Sequence, residues 1–194
     1  MKSECLKYKN LTAEDIAPSF LDGFERRQEV MLCYRRGEKG WEVRPDPFTD
    51  DWTEEERASV VKALQETAKS GGFVQAAFFE GRPVGFAAVC KQSLGKKREY
   101  LDLAELHVSR EWRRRGVGRR LFQAAAAWAK EHGAEKLYIS AHSAVETQVF
   151  YRSLGCTDAV WEDKRHVEKE PFDCQLEYIS VSYTHLTLPT TPYV

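Results

Sequence analysis

The chain of 194 residues is 42% hydrophobic and 30% charged, a length and composition that suit one ordinary globular domain with its own core. Lys and Arg (29) nearly balance Asp and Glu (30), so no overall positive field draws the protein to nucleic acid or to a membrane surface. Five scattered cysteines without a CxxC pair argue against a disulfide framework or a zinc site. There is no apolar signal-peptide core and no run of 18 apolar residues, and we expect a cytoplasmic protein.

The N-terminal part is predicted to be mainly helical. Thr12, three residues before Asp15, is a typical helix start, and a second helical stretch should continue to about Val30. Two short extended pieces are expected around the Gly37–Gly40 turn. A clearer helix follows from Thr53, because Glu56 completes a capping box three residues later and two glycines end the pattern at 71–72.

The remaining elements are mostly strands. In chain order we predict a hairpin at 73–90 that turns at 80–82, a strand at 98–109 reached through the polar loop 92–97, an alanine-rich helix ending at 133, a strand at 136–142, a short helix at 144–156, and strands at 157–163 and 172–179. This order predicts an α+β fold with a single mixed, mostly antiparallel sheet, a central β-α-β crossover and flanking helices.

The last residues do not read as a structural element. The stretch "VSYTHLTLPT" at 181–190 matches, residue for residue, the translation of a transposase-type sequencing adapter. We therefore expect residues 181–194 to be an artefact outside the domain, which then covers 1–180. The alternative is a β-prone tail.

Six arginines are crowded between positions 110 and 120, around Gly116 and Gly118, where a strand turns into the alanine-rich helix. Glycines allow a tight turn and the close approach of a ligand. The unpaired amides of the first helical turn carry partial positive charge, and such a helix start is suited to a pyrophosphate. A plain strand–turn–helix connection with solvated arginines is the alternative on spacing alone.

Two motifs resemble the GNAT N-acetyltransferase superfamily, over about residues 73–179. The coenzyme A signature of that family is matched by Leu106, Val108, Arg113, Gly116 and Gly118. A second signature, in the following short helix, is matched by the run Phe150-Tyr151 and by Gly155. The chain departs from the family pattern in having Cys156 for a phenylalanine, Arg114 for a frequent glycine, Arg110 for a proline, and Ser143-Ala144 where the helix usually carries an asparagine.

The resemblance implies a GNAT-like acetyltransferase domain over 1–180, with acceptor-side helices in 1–72 and a coenzyme A-binding core in 73–180. Acetyl-CoA would lie in a V-shaped splay between the strand ending at Val108 and the strand ending near His142. The cofactor-binding residues that the resemblance implies are His107, Val108, Arg113, Arg114, Arg115, Gly116, Val117, Gly118, Arg119 and Ser143. Arg110 and Arg120 are expected to be solvated, and no metal-ligand spacing is present.

The implied chemistry is acetyl transfer from a thioester to an amine. By resemblance Tyr151 is the acid that protonates the leaving thiolate; packing against the cofactor is its alternative role. The base is expected on the strand "YLDLAELHV". Alternation places Asp102 and Ala104 on the face of Leu106 and Val108, and Glu105 on the face of His107, unless a bulge breaks this alternation. By resemblance Asp102 occupies the position that commonly faces the acceptor, so it is the first candidate for the base and Glu105 the second. The alternative for each is a structural carboxylate that only accepts hydrogen bonds. His142 is a third candidate.

The acceptor pocket should come from the variable segments: the first two helices, 33–48 and 92–97. Aromatic and acidic side chains there could receive a cationic amine, or could belong to an ordinary exposed loop; they are Tyr34, Trp41, Phe48, Trp52, Asp46, Asp50 and Asp51. The expected acceptor is a small-molecule or peptide amine, with no nucleic acid or membrane partner and room for a homodimer. A non-catalytic acyl-CoA-binding sensor with the same fold is the competing hypothesis.

Overall fold

The computed structural model describes residues 5–180, and the adapter-like segment 181–194 lies outside the described residues. One sheet has seven strands in the spatial order β1 (Lys7–Asn10), β4 (Phe73–Phe79), β5 (Arg82–Leu94), β6 (Tyr100–Val108), β7 (Lys136–Ala141), β9 (Cys174–Ile179) and β8 (Thr157–Asp158). A separate hairpin consists of β2 (Gln28–Gly37) and β3 (Gly40–Asp50). The helices are α1 (Glu54–Lys69), α2 (Val117–Glu131), α3 (Val145–Ser153) and α4 (Lys164–Lys169).

The predicted fold class is confirmed. Every pairing in the sheet is antiparallel except β6 with β7, which run parallel and are joined by α2 in a β-α-β crossover. Parallel neighbours require such a crossover connection, and here it lies at the centre of the sheet.

The two faces of the sheet are buried against different helices. On one face α2 presents an apolar stripe whose members recur at helical spacing: Val117, Leu121, Phe122, Ala125 and Ala129. On the other face α1 packs against β4 and β5 through Val61 and Leu64. The close approach of α2 to β5 depends on Gly85, because a Cβ there would lie 2.9 Å from Val117 Cγ1.

Helix α1 has the predicted boundaries. Thr53 Oγ1 accepts a hydrogen bond from the Glu56 amide at 3.2 Å, and the Glu56 carboxylate accepts one from the Thr53 amide at 2.8 Å. This reciprocal cap satisfies two amides that the helix itself leaves unpaired.

The N-terminal part differs from the sequence prediction. Near Thr12 only one turn of 3-10 helix forms, at Ala13–Asp15, and the predicted helical stretch to Val30 is wrong because strand β2 begins at Gln28. Strand β2 pairs with β3 along its length, which confirms the two extended pieces expected around the Gly37–Gly40 turn, and Cys33 of β2 forms a bridge to Ala144, far away in sequence. Such tertiary pairing overrides local helix propensity.

Three smaller differences concern connections. The hairpin of β4 and β5 turns through two residues, Glu80 and Gly81, both at positive φ, and β5 extends to Leu94 into the predicted polar loop. The predicted strand at 157–163 is reduced to Thr157–Asp158, and the short helix α4 follows it. No helix within residues 5–180 has the length and apolar character needed to cross a membrane.

Candidate functional site

Strands β6 and β7 separate after three residue pairs. Tyr100, Leu101 and Asp102 pair with Lys136, Leu137 and Tyr138, and beyond these positions neither strand pairs with the other. Strand β6 continues to Val108 while bonded to β5 on its other side, so its edge toward β7 is open from 103 onward. This opening, the expected splay, can receive an extended ligand that adds strand-like hydrogen bonds.

The glycine turn at the start of α2 lies next to the open end of β6. Gly116 is the N-cap of α2 with φ of 80°, and a Cβ there would meet no atom within 4 Å. No acidic residue occupies the first turn. The amides of Val117, Gly118 and Arg119 have no intrahelical acceptor, so the turn presents several N–H donors and the positive end of the helix dipole to an anion.

Arg113 of the predicted set has a structural role in this geometry. Its Nε donates to the carbonyl of Val108 at 3.1 Å and its Nη2 to the carbonyl of Arg26 at 2.6 Å. Burial is the main cause that lowers the pKa of its guanidinium. The side chain therefore anchors the end of β6 and does not point into the turn.

The other arginines divide into two groups. Arg110 forms a 3.2 Å ion pair with Glu25, Arg115 lies over the Trp112 ring at 5.0 Å, and Arg120 over the Tyr8 ring at 3.9 Å. Arg114 and Arg119 are exposed on either side of the glycines, so they are the side chains best placed to meet an anion there. Arg114 has φ of 59°, a left-handed conformation that glycine adopts more readily than other residues.

The two sequence motifs meet in space. A Cβ on Gly118 would lie 3.3 Å from the Phe150 ring and 3.4 Å from Val108 Cγ2, so glycine lets α2, α3 and β6 pack tightly here, and a larger residue would have to displace these neighbours slightly. Tyr151 follows Phe150 and packs edge-on against Phe122. It is 7% exposed, and burial raises the pKa of its phenol well above the usual value. The phenol is therefore a neutral hydrogen-bond donor at physiological pH.

The prediction that side chains alternate without interruption along β6 is wrong. Ala88 pairs with Glu105 and the next β5 residue, Val89, pairs with Leu103, so Ala104 is an extra residue and forms a β-bulge. Leu103 and Leu106 therefore both pack on the α2 face. Asp102 consequently shares the opposite face with Glu105 and His107, and not the face of Leu106 and Val108.

Glu105 and His107, predicted to share one face of β6, form a bonded pair that the sequence prediction did not identify. Glu105 Oε2 lies 2.8 Å from His107 Nε2, and both side chains are about one-fifth exposed. The imidazole lies edge-on to Trp52, with ring centroids 4.8 Å apart, and also contacts Phe86. The only sequence signal was the Glu-x-His spacing on a strand, which places the two side chains on one face.

Asp102 lies at the vertex of the splay and is bonded to helix α4. Its Oδ2 is 3.0 Å from Nε2 of His166, and this hydrogen bond is the main cause that raises the pKa of His166. The other carboxylate oxygen, Oδ1, is buried without a hydrogen-bond partner among residues 5–180. The sequence prediction missed His166 because α4 was not predicted.

His142 is poorly suited to act as a base. Its Nδ1 accepts a hydrogen bond from the Ala144 amide at 3.1 Å, which places the proton of the neutral ring on Nε2, toward Asp50 at 3.8 Å. Burial is the main cause that lowers the pKa of His142. Neither nitrogen of the neutral ring is then free to take a proton.

Asp173 is another buried carboxyl on this face that the sequence prediction missed. Burial raises its pKa to about 6, and Ser140 Oγ donates to its Oδ2 at 3.1 Å. The charges of Asp173 and Glu105 each contribute to raising the pKa of Tyr151, after burial, which is the main cause.

Ser143, predicted to contact the cofactor, is instead enclosed by the hairpin. It is 3% exposed, its Oγ accepts from Arg35 Nη1 at 2.6 Å, and its carbonyl accepts from the Tyr34 amide at 2.8 Å. These bonds hold β2 over the end of β7, and we leave Ser143 out of the cofactor site.

The predicted acceptor residues are only partly brought together. Phe48 contacts the His142 ring, and Asp50 binds Arg26 at 2.5 Å beside Trp52. Three others serve local structure: Asp46 pairs with Arg35, Asp51 caps the Trp52 amide, and Trp41 stacks with Arg36. No group of three metal-ligating side chains occurs in the described part of the chain.

The pair of Asp102 and His166 predicts a pH-dependent contribution to stability. Because the pKa of His166 is raised in the folded state, the contribution should be complete below the unfolded pKa of about 6.5 and lost as pH rises through the folded pKa. Urea midpoints of the wild type and Asp102→Asn, measured from pH 5.5 to 8.5, should differ most at low pH and converge at high pH. A difference that stays constant with pH would contradict this.

A family profile and several solved structures match this chain. The Acetyltransferase (GNAT) family profile matches residues 37–156. No curated protein sequence matches the chain significantly. A protein from Bacillus anthracis described as a streptothricin acetyltransferase, solved with acetyl coenzyme A, superposes with a TM-score of 0.64 at 18% identity, covering 89% of this chain and 96% of that one.

Two further solved structures share the fold. Nourseothricin acetyltransferase has a TM-score of 0.61 at 18% identity, with 89% and 95% of the chains covered. The PaiA N-acetyltransferase of Thermoplasma acidophilum, solved with coenzyme A, has a TM-score of 0.54 at 13% identity, with 90% and 99% covered. The family profile covers more than half of the chain, and the two family motifs meet at the opening between β6 and β7. This chain therefore belongs to the GNAT acetyltransferase family.

Proposed function

We propose that this protein is an N-acetyltransferase that moves an acetyl group from acetyl-CoA to a primary amine. The observation that carries the proposal is the meeting of Val108, Gly118 and Phe150 at the open end of the splay, with the neutral phenol of Tyr151 next to them. This arrangement joins an anion-binding turn, an open strand edge and a proton donor.

The cofactor fits the residues present. The pyrophosphate would bind the amides of 117–119, with Arg114 and Arg119 adding charge-assisted hydrogen bonds. The pantetheine arm would enter the splay and bond the free backbone edge of His107 and Val108. Bound there, acetyl-CoA supplies the activated acetyl group as a thioester.

The reaction forms a C–N bond and breaks a C–S bond. The neutral amine attacks the thioester carbonyl, the departing thiolate receives a proton from Tyr151, and the amine gives its proton to a base. A base matters because an alkylamine with a pKa of about 10.4 is neutral in only about one part in 2,500 at pH 7, a deficit of about 4.6 kcal/mol.

We assign the base to Glu105, directly or through water, with His107 orienting its carboxylate. Glu105 lies beyond the bulge, on the part of β6 that β7 no longer covers, and its charge contributes to raising the pKa of Tyr151. Asp102 lies at the closed vertex and is held by His166. The bulge thus favours Glu105 over Asp102 as the base.

The acceptor proposed is a cationic small-molecule amine. Three partly buried carboxyls favour the approach of a protonated amine: Glu105 beside His107, Asp50 beside Arg26, and Asp173 beside Ser140. The names of two structural neighbours, streptothricin and nourseothricin acetyltransferase, agree with an amine-bearing small molecule.

The glycine turn can be tested with a matched pair of variants. Gly116 and Gly133 lie at the two ends of α2 with φ of 80° and 82°, and a Cβ at either would meet nothing within 4 Å. Gly116→Glu and Gly133→Glu therefore share the same cost of about 1 kcal/mol for a left-handed residue. In calorimetry, Gly116→Glu should weaken acetyl-CoA binding at least about a hundredfold because its charge faces the pyrophosphate. Equal affinities of the two variants would place the phosphate site elsewhere.

The acid role of Tyr151 is tested by Tyr151→Phe, followed by thiol release from acetyl-CoA with a panel of amines. The wild type should release thiol with at least one cationic amine, and the variant should be slower by about 10² to 10⁴. Affinity for acetyl-CoA should be nearly unchanged, because the ring still packs against Phe122. A wild type that binds acetyl-CoA but releases no thiol with any amine would favour the sensor hypothesis.

The base is tested by comparing the pH–rate profiles of Glu105→Gln and Asp102→Asn. Glu105→Gln should lower kcat/KM by about 10², most at low pH, where the amine is mainly protonated and needs the base most. Asp102→Asn should keep the shape of the wild-type profile. The reverse result would restore Asp102 as the base and remove Glu105 from that role.

A further inference from the structure

A chain of hydrogen bonds that begins among buried side chains ends at Asp173, the residue before β9. The Tyr138 hydroxyl donates to Gln175 Oε1, and Gln175 Nε2 donates to Ser140 Oγ at 3.1 Å. Ser140 Oγ in turn donates to Asp173 Oδ2 at 3.1 Å. Tyr138 is 0% and Gln175 4% exposed. Since each donor is fixed by its neighbour, this chain holds the Asp173 carboxylate in one orientation.

One oxygen of this carboxylate remains free. Asp173 Oδ1 accepts no hydrogen bond from residues 5–180. Asp173 is only partly buried and its Oδ1 is not enclosed, so a ligand can reach this oxygen. Burial raises the pKa of Asp173 to about 6, and the carboxylate is therefore charged at neutral pH. A partly buried charge without a counter-charge is unfavourable, and a cation that binds there would remove that cost.

The basic side chains near the opening are bonded to other carboxylates. Three such pairs are Glu105–His107, Asp102–His166 and Asp50–Arg26. Arg35 lies 4.9 Å from the centre of the Phe172 ring, next to Asp173, but its Nε and Nη2 donate to Asp46. Asp173 thus differs from these carboxylates in having no ion-pair partner among residues 5–180. An oriented, accessible carboxylate without a cation points to a cationic group that belongs to a ligand.

Asp173 lies on the face of the sheet where the acceptor is proposed to bind. Ile139 and Ala141 pack into the core beside α2. Side chains alternate along a strand, so Ser140 and the carboxylate bonded to it lie on the opposite face. Glu105, the proposed base, also lies on that face.

Asp173 and Glu105 are also at a similar height in the opening. The last pair of β6 and β7 is Asp102 with Tyr138, and Ser140 lies two positions further along β7. Glu105 lies three residues beyond Asp102, but the extra residue of the bulge reduces this to about two strand positions. Ser140 and Glu105 therefore stand roughly 7 Å beyond the last pair, on different strands. An acceptor that enters the opening has Glu105 on one side and Asp173 on the other.

The chemistry of an amine acceptor separates the roles of these two carboxylates. The amine that reacts must lose its proton before it attacks, whereas a carboxylate without a counter-charge stabilises the protonated form of an amine. An alkylamine that does not react stays protonated at neutral pH, because its pKa is about 10.4. Asp173 is therefore suited to an amino group that remains charged while another amino group reacts beside Glu105.

We infer that Asp173 Oδ1 binds a second, protonated amino group of the acceptor, and so selects diamines and larger polyamines over monoamines. Asp173 is then a specificity-determining residue, and Ser140 is the positioning residue that orients its carboxylate. This inference rests on the proposed function, because it needs an amine that is acetylated in the opening.

The test compares amines that differ only in the second amino group. Diamines of increasing chain length, each with the monoamine of the same length, are given with acetyl-CoA to the wild type, Asp173→Asn and Asp158→Asn, and thiol release is followed. Asp158→Asn is the matched control, because it removes the same charge from the edge strand β8, where Asp158 is bonded to Arg152.

In the wild type, kcat/KM should be at least about tenfold higher for the best diamine than for its monoamine. Asp173→Asn should lose this preference through a higher KM for the diamine, with kcat and the monoamine values nearly unchanged. Asp158→Asn should keep the preference of the wild type.

Two results would overturn the inference. A wild type that acetylates monoamines and diamines of every length equally well binds no second cation. If Asp173→Asn loses kcat/KM by the same factor with both kinds of amine, Asp173 supports the fold or takes the proton of the reacting amine. If Asp173→Asn does not fold, Ser140→Ala removes the bond that orients the carboxylate; the preference for the diamine should then fall, and an unchanged preference overturns the inference as well.

The same measurements separate this inference from the proposed function. A wild type that releases no thiol with any amine overturns both. A wild type that acetylates monoamines without a preference for diamines overturns only the role of Asp173.

Discussion

Much of this structure depends on the early end of pairing between β6 and β7. Backbone N–H and C=O groups that lose a sheet partner must find another, and beyond Asp102 the edge of β6 has none from β7. The opening is held by neighbouring contacts on both sides. The bulge at Ala104 bends β6, Arg113 anchors its end, and Gln148 ties the end of β7 to α3. The opening is thus a gap in the sheet that specific contacts hold in place.

The two faces of the sheet are specialised differently around this opening. On the α2 face, the glycine turn and the motif helix α3 present amides and a neutral phenol. On the opposite face, every histidine near the opening lies beside a carboxylate, in the pairs Glu105–His107, Asp102–His166 and Asp50–His142. Such partly buried polar pairs hold their side chains in fixed orientations.

The number of arginines in the cluster does not indicate how many of them are available to bind an anion. Six arginines suggest a strongly positive surface, yet one is bonded to backbone carbonyls, two stack on aromatic rings and one pairs with a carboxylate. The anion site proposed here relies more on the helix start and on the left-handed turn at Gly116 than on the number of charges nearby.

The sequence by itself determined the α+β class, the crossover, the cap of α1 and the glycine turn, because each depends on residues within a few positions of one another. Alternating apolar residues, a capping box and a glycine pair act locally, so a reader of the sequence can recognise them. The tertiary structure alone decided that strand β2 begins as early as Gln28, the bulge at Ala104 and the partners of the buried polar side chains. The bulge adds one residue to β6 opposite β5. Relative to Asp102, every side chain after the bulge therefore points to the face opposite the one that simple alternation predicts, and no local pattern in "YLDLAELHV" marks the bulge. His166 meets Asp102, and Arg35 meets Ser143, across 64 and 108 residues of chain. Contacts at such separations follow from how the whole sheet and its helices pack.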